Sequence, residues 1–472
     1  MRAEPQVNAY HPDPQILELA SWLGDPVSAA DFPATTPRFR NDRWAVALGL
    51  DGLDEAGWTR HFGRFGALPA NLPQPLALRY HGHQFRQYNP EIGDGRGFLF
   101  AQMRDGAGRL LDLGTKGSGT TPWSRQGDGR LTLKGAVREI MATEMLEALG
   151  ANTSKTFSVI ETGESLWRGD EPSPTRSAVL VRLSHGHIRI GTFQRLLALQ
   201  DRDHMADLVD YCLRNYPGPP PPDDAPDRDN PAVILLHQVV ERLADLAASY
   251  IAAGFVHGVL NSDNMNISGE SFDYGPWRWL PAWDQTFTAA YFDHSGLYAF
   301  GRQPSAIHWN CGQLAVSLRL LAETEPLIAA LDRFGPLYQA NIARRFCWRL
   351  GVAQQSLERD TALIAAAEQA MAATGESPDA FFFAHRGGRS RGAGEFSALL
   401  ADYTATDGLD DPFWAEPAPP TNHIDEVERI WSAIDKGDNW APLADHIAAI
   451  RRMGSALGEP PVPAGHGSSV PG

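Results

Sequence analysis

Residues 257 to 275 read HGVLNSDNMNISGESFDYG, and this stretch constrains the fold more than any other. Asn264 and Asp273 offer one amide oxygen and one carboxylate, hard donors suited to Mg²⁺ or Mn²⁺ with water and phosphates completing the shell. The position two residues after His257 is Val259, an apolar side chain that cannot accept a proton. A segment of this kind holds a cation against phosphates only if another part of the chain binds those phosphates.

The chain can support such a frame. It has 472 residues, 43% of them hydrophobic and 10% aromatic, enough for two or three packing units or one large bilobal enzyme. A net charge of −16 argues against a nucleic-acid partner, because such proteins present a basic face. Cys212, Cys311 and Cys347 lie far apart and form no close pair, which fits a reducing, cytoplasmic setting. Met1 to Ala20 has no continuous apolar run, so no signal peptide is expected, and no stretch approaches the ~18 apolar residues of a membrane span.

Along the chain, the first 40 residues suggest an extended arm with one short helix at 15–23. Weak strand signals surround 43–50 and 76–80. FLFAQM (98–103) and LLDLGTK (110–116) read as strands joined by a turn at 105–108, with further strands at 157–161 and 178–183. The 3.6-residue spacing of Ala136, Val137, Ile140, Met141, Met145 and Leu149 predicts a helix over 131–149, ended by Gly150. From about 190 the pattern becomes helical: 192–200, 204–215, 231–253, 311–322 and 325–350. The Pro-rich run 217–231 and the Arg/Gly-rich run 383–394 read as loops, and the chain beyond Gly458 as a frayed tail.

Gly93-Asp-Gly95-Arg96-Gly97 precedes the first of the strong strands. Glycines there let backbone approach a phosphate, and Arg96 adds charge, although most such runs are plain turns. Lys116 ends the next strand and Glu139 lies mid-helix, each an ordinary surface residue if taken singly. The loop 124–130 with Asp128 and Gly129 is either a helix-leading turn or a second nucleotide-facing loop. Arg182 ends an apolar strand and needs a partner, with Arg189 near it; a polyphosphate or a carboxylate would serve. The triplets His81/His83 and His185/His187 lack the companions of a zinc site and suit packing or hydrogen bonding. Trp277, Trp279 and Trp283 read as core.

These parts stand in the order used by protein kinases, in which a glycine-rich loop, a strand lysine paired with a helix glutamate, an Asn and an Asp-Phe-Gly follow one another. Asp273-Tyr-Gly275 stands for the last, and the usual catalytic Asp is replaced by Val259. The fuller set YHGHQF (80–85), GDGR (93–96), KGSGTTPWSR (116–125), DGR (128–130), Arg138-Glu139, Arg182, RIGTF (189–193) and 257–275 resembles the selenoprotein O family of protein-kinase-like adenylyltransferases, over roughly 75–315. The resemblance implies an α+β, kinase-like bilobal fold. Its parts would be an N-terminal extension (1–75), a sheet-rich N-lobe (76–190), a helical C-lobe (191–400) and a C-terminal extension with tail (401–472). It implies ATP bound in a flipped orientation and AMP transferred to Ser, Thr or Tyr hydroxyls of proteins, with pyrophosphate released. Gly93, Gly95, Arg96, Lys116, Asp128, Gly129, Arg182, Arg189 and Asp273 would bind ATP. Asn264 and Asp273 would bind Mg²⁺, Asp263 would be the proton acceptor, and Glu139 would support Lys116. The chain departs from the family at 421–428, which looks contracted, and in a tail without cysteine or selenocysteine, which removes redox control through that tail. A phosphotransferase on the same fold would want an Asp at Val259, and an inactive nucleotide-binding scaffold would tolerate loss of Lys116, Asn264 or Asp273.

Overall fold

The two strong strand signals form the middle of a mixed α/β molecule. The computed structural model describes residues 9–169, 171–389, 394–406 and 408–460. Its largest sheet has nine strands: β1 (His11–Pro12), β2 (Gly24–Pro26), β3 (Thr36–Arg40), β4 (Leu76–Leu78), β5 (Leu99–Arg104), β6 (Leu110–Lys116), β7 (Leu131–Thr132), β8 (Lys155–Leu166) and β9 (Thr175–Ser184). The order is β2-β4-β5-β6-β9-β8-β3, with β1 added to β5 and β7 to β9, and every pairing is antiparallel. β6 is buried at every position because both faces are covered, so Leu110, Leu111 and Leu113 do not follow a strict apolar–polar alternation and Asp112, Thr115 and Lys116 are buried with them.

One face carries Leu111, Leu113, Val179 and Val181 against Trp58 and Phe62. The other carries Leu99, Val159 and Leu180 against Val137, Ile140 and Met141 of helix α1 (Leu133–Ala148). The Thr132 hydroxyl caps α1 by accepting from the Gly135 N–H, and Gly150 follows it at φ 73°. After β9 come α2 (Ile190–Ala198) and α3 (Pro231–Ala253), which is capped by Asn230, begun by Pro231 and ended by left-handed Gly254. α3 is buried over most of its length because α4 (Gln303–Leu318) and α5 (Phe334–Leu350) pack on it. Near the C-terminus α6 (Ile424–Gly437) and α7 (Ala441–Leu457) return to α1. Among the described residues no helix is long and apolar enough to cross a membrane.

Several sequence expectations need correction. Residues 43–50 are not a strand: Asp42–Ala47 is helical, and Ala45 and Leu48 are fully buried at a helical spacing. The helix expected over 325–350 is two, Thr324–Asp332 and α5, since Pro336 has no N–H to donate to the Asp332 carbonyl. α4 starts well before Cys311. The first 40 residues are not merely an arm, for β1, β2 and β3 join the sheet. Of the run 383–394, Phe383 to His385 lie in the helix Pro378–His385, and Arg386 is buried, donating to the Trp348 and Arg349 carbonyls. Residues 390–393 of that run, and most of the expected tail beyond Gly458, lie outside the described residues. Trp277, Trp279 and Trp283 are core residues, as expected.

Candidate active site

Lys116 and Arg182 occupy neighbouring strands. β9 pairs with β6 so that Leu180 faces Lys116 and Arg182 faces Gly114, which sets the two cations diagonally on the face toward α1. Glu139 projects from α1 between them. Its Oε2 lies 2.6 Å from Lys116 Nζ and its Oε1 3.3 Å from Arg182 Nη2. All three side chains are almost completely buried, where a charge persists only when paired. The second partner is Asp273, with Oδ1 3.3 Å from Lys116 and 3.4 Å from Arg182. Burial pushes the Asp273 carboxyl up, but Lys116, Arg182, Arg96 and Arg189 outweigh it and hold the group well below the usual carboxylate range.

Arg189 begins α2 and donates to Asp94 Oδ1 (2.9 Å), the Tyr80 hydroxyl (2.9 Å) and the Asp263 carbonyl (3.1 Å). Its guanidinium also stacks 4.3 Å from the Tyr80 ring centroid. Asp263 follows in a 3-10 turn, Ser262–Asn264. Its side chain is covered by Gly82, where a Cβ would come within 3.0 Å of Oδ1. Burial pushes the Asp263 carboxyl up to about 6, with Arg189 opposing, and its Oδ1 is buried without a hydrogen-bond partner. Asn264 donates its Nδ2 to the Val259 carbonyl (3.0 Å), leaving a buried Oδ1 likewise unpaired. Val259 itself packs against the hydrophobic core.

These residues wall a cavity of about 430 Å³ lined by Gly93, Gly95, Arg96, Lys116, Asp128, Gly129, Arg182, Arg189, Asp263 and Asp273. Asn264 and Glu139 lie behind the lining. The glycines have packing reasons of their own. A Cβ on Gly93 would meet the Trp123 ring at 2.5 Å, and Gly129, at φ 67°, lies against Gly119. Thr121 Oγ1 donates to the Asp94 carbonyl and Ser124 Oγ to that of Gly95, which clips the loop 117–130 onto 93–97. Asp128 does not lie in a turn that leads directly into the helix. It is separated from α1 by β7 and is held by Arg168 (2.8 Å), an arginine that also lines the cavity. Sequence reasoning missed Trp123, Tyr80 and Asp94 as builders of this wall, although all three lie inside quoted motifs. The His residues act in hydrogen bonds: His83 Nδ1 with Gln194 (2.6 Å) and His187 Nδ1 with Asp112 (3.2 Å).

The unpaired buried amide oxygen of Asn264 and the ionised carboxylate of Asp273 are hard donors that suit a divalent cation. Among the described residues no cluster of three or more His, Cys, Asp or Glu side chains could hold a metal, so phosphate oxygens would have to complete the shell. Over residues 6–404 the chain matches the sequence model of the family described as "Protein adenylyltransferase SelO". The chain belongs to this family. A Synechocystis protein named "Protein nucleotidyltransferase YdiU" is 40% identical over 93% of this chain and 97% of its own length. Proteins of the same name from Synechococcus elongatus and Pseudomonas aeruginosa are 42% and 37% identical, covering 91% and 84% of this chain and 93% and 77% of their own lengths. The SelO match thus runs through the sheet, the cavity and the helices beneath it.

Proposed function

We propose that this chain is a protein adenylyltransferase that transfers AMP from ATP to Ser, Thr or Tyr hydroxyls of proteins and releases pyrophosphate. The fold in this reading is a kinase-like bilobal one, with 76–190 binding nucleotide and the catalytic segment 257–275 in a helical C-lobe between extensions at 1–75 and 401–472. Membership of the SelO family supports the reaction class, and the names of the relatives agree with it. The observation that carries the mechanism is the division of charge in the cavity. Lys116, Arg182 and Arg189 converge at its buried end, while Asp263 offers an unpaired carboxylate oxygen and the Val259 position offers none.

In this reading ATP binds inverted, with its β- and γ-phosphates toward Lys116, Arg182 and Arg189 and with Gly93, Gly95, Arg96, Asp128 and Gly129 along the rest of the nucleotide. Glu139 fixes Lys116 and Arg182. Mg²⁺, or Mn²⁺, held by Asn264 and Asp273, supplies positive charge to the phosphates. Asp263 takes the proton of the attacking hydroxyl as oxygen bonds to the α-phosphorus. The bond from that phosphorus to the β-phosphate oxygen breaks, and the arginines and lysine neutralise the leaving pyrophosphate. Incubation with ATP followed by peptide mass spectrometry tests this: AMP remnants on hydroxyl side chains are expected, and phosphate remnants alone would reject it.

A further inference from the structure

Asp112 and His187 form a buried pair at the cavity wall that the mechanism above leaves without a task. Asp112 lies on β6 with its carboxylate shared: Oδ1 accepts from Gln102 Nε2 (2.7 Å) and Oδ2 lies 3.2 Å from His187 Nδ1. Gln102 is itself fixed, its oxygen accepting from the Ile16 N–H (2.7 Å) and its nitrogen reaching the Tyr211 hydroxyl (3.1 Å). A carboxylate anchored in this way orients the imidazole through its Nδ1. Ser184 Oγ, 3.4 Å from Nδ1, is the other polar group on that side.

The opposite nitrogen faces β6. A Cβ on Gly114 would stand 2.0 Å from His187 Nε2, so the ring occupies space that only glycine leaves open. Gly114 is also the residue directly across from Arg182, and His187 lines the same cavity as Lys116, Arg182 and Arg189. Among the described residues Nε2 has no hydrogen-bond partner. A nitrogen held at a polyphosphate-sized cavity, beside three cations and backed by a carboxylate, suits an anionic oxygen.

We propose that His187, oriented by Asp112, is a phosphate-binding residue that hydrogen-bonds through Nε2 to the terminal phosphate of ATP and remains on the pyrophosphate as it leaves. This rests on the nucleotide reading of the cavity and adds a fourth phosphate contact beside Lys116, Arg182 and Arg189. Titration calorimetry with ATP, pyrophosphate and AMP tests it on the full chain. His187→Ala and His187→Gln are expected to weaken ATP and pyrophosphate by about tenfold or more while AMP binds as to the wild type. Asp112→Asn should give a smaller loss of the same pattern. Equal pyrophosphate affinity in wild type and His187→Gln overturns the proposal, as does an equal loss of AMP, which would mark a collapsed cavity. Wild-type protein that binds neither ATP nor pyrophosphate would instead overturn the nucleotide reading itself.

Discussion

Asp273 takes up a left-handed backbone conformation, φ 59°, at the centre of a shell of cations. That conformation costs a non-glycine residue free energy, and the ion pairs to Lys116 and Arg182 offset it. Replacing Asp273 by Ala should leave the fold intact, since Glu139 still pairs with both cations, and should abolish transfer; wild-type activity in that variant would refute its role. Asp263→Asn should lower the transfer rate by about 10²–10⁴ while ATP binding measured by calorimetry stays within a few-fold of wild type. A different carboxyl tests the electrostatics of the frame. Glu270 is fully buried, accepting from the His185 N–H, and burial pushes it up to about 7 against the opposing charge of Lys155. A carboxyl raised in the folded state stabilises below its unfolded value, and that contribution is lost as pH climbs through about 7. Glu270→Gln should therefore gain stability relative to wild type on going from about pH 5 to about pH 8, by on the order of 3 kcal/mol in urea unfolding. A pH-independent difference would show that the carboxyl ionises without penalty.

At the scale of elements, α1 carries Glu139 inward and is held from behind by the C-terminal helices. Arg451 of α7 grips Glu144 through two contacts, 2.7 and 2.6 Å, and Asn422 donates to the Met141 carbonyl (2.8 Å). Glu144 is nearly inaccessible, and Arg43 at 3.4 Å is its weaker second partner. Arg451→Ala should lower unfolding free energy by about 2 kcal/mol, less than a wholly abandoned buried charge because Arg43 remains and Arg451 is partly exposed. An unchanged denaturation midpoint would mean that α7 contributes nothing to seating α1. The sequence announced α1 through its period, β5 and β6 through their apolar runs, and α3 through Asn230, Pro231 and Gly254. It concealed the helix at 42–47, where Trp44 and Val46 imitate strand composition, and the break before Phe334, where apolar periodicity runs on through Pro336. The cavity residues were legible because their order along the chain is diagnostic. Trp123 and the Asp112–His187 pair were not, because their roles depend on contacts between segments distant in sequence, which spacing does not encode.

For the whole molecule, the arrangement makes two statements about chemistry. Cys212, Cys311 and Cys347 are all buried as free thiols, and burial pushes that of Cys347 up to about 12. Oxidant should leave three unmodified thiols on mass analysis of the intact protein and no change in transfer rate; an intramolecular bridge that alters the rate would contradict this. The other statement is the central one. In the proposed reading, Lys116, Arg182 and Arg189 in the cavity, with the apolar Val259 where a base would stand, favour loss of pyrophosphate over transfer of the γ-phosphate. The direct measurement is parallel incubation of the protein with ATP labelled at the α- or the γ-phosphate, followed by counting of protein-bound label. The α-label should become protein-bound and the γ-label should leave as pyrophosphate, whereas γ-label retained on protein would contradict the account.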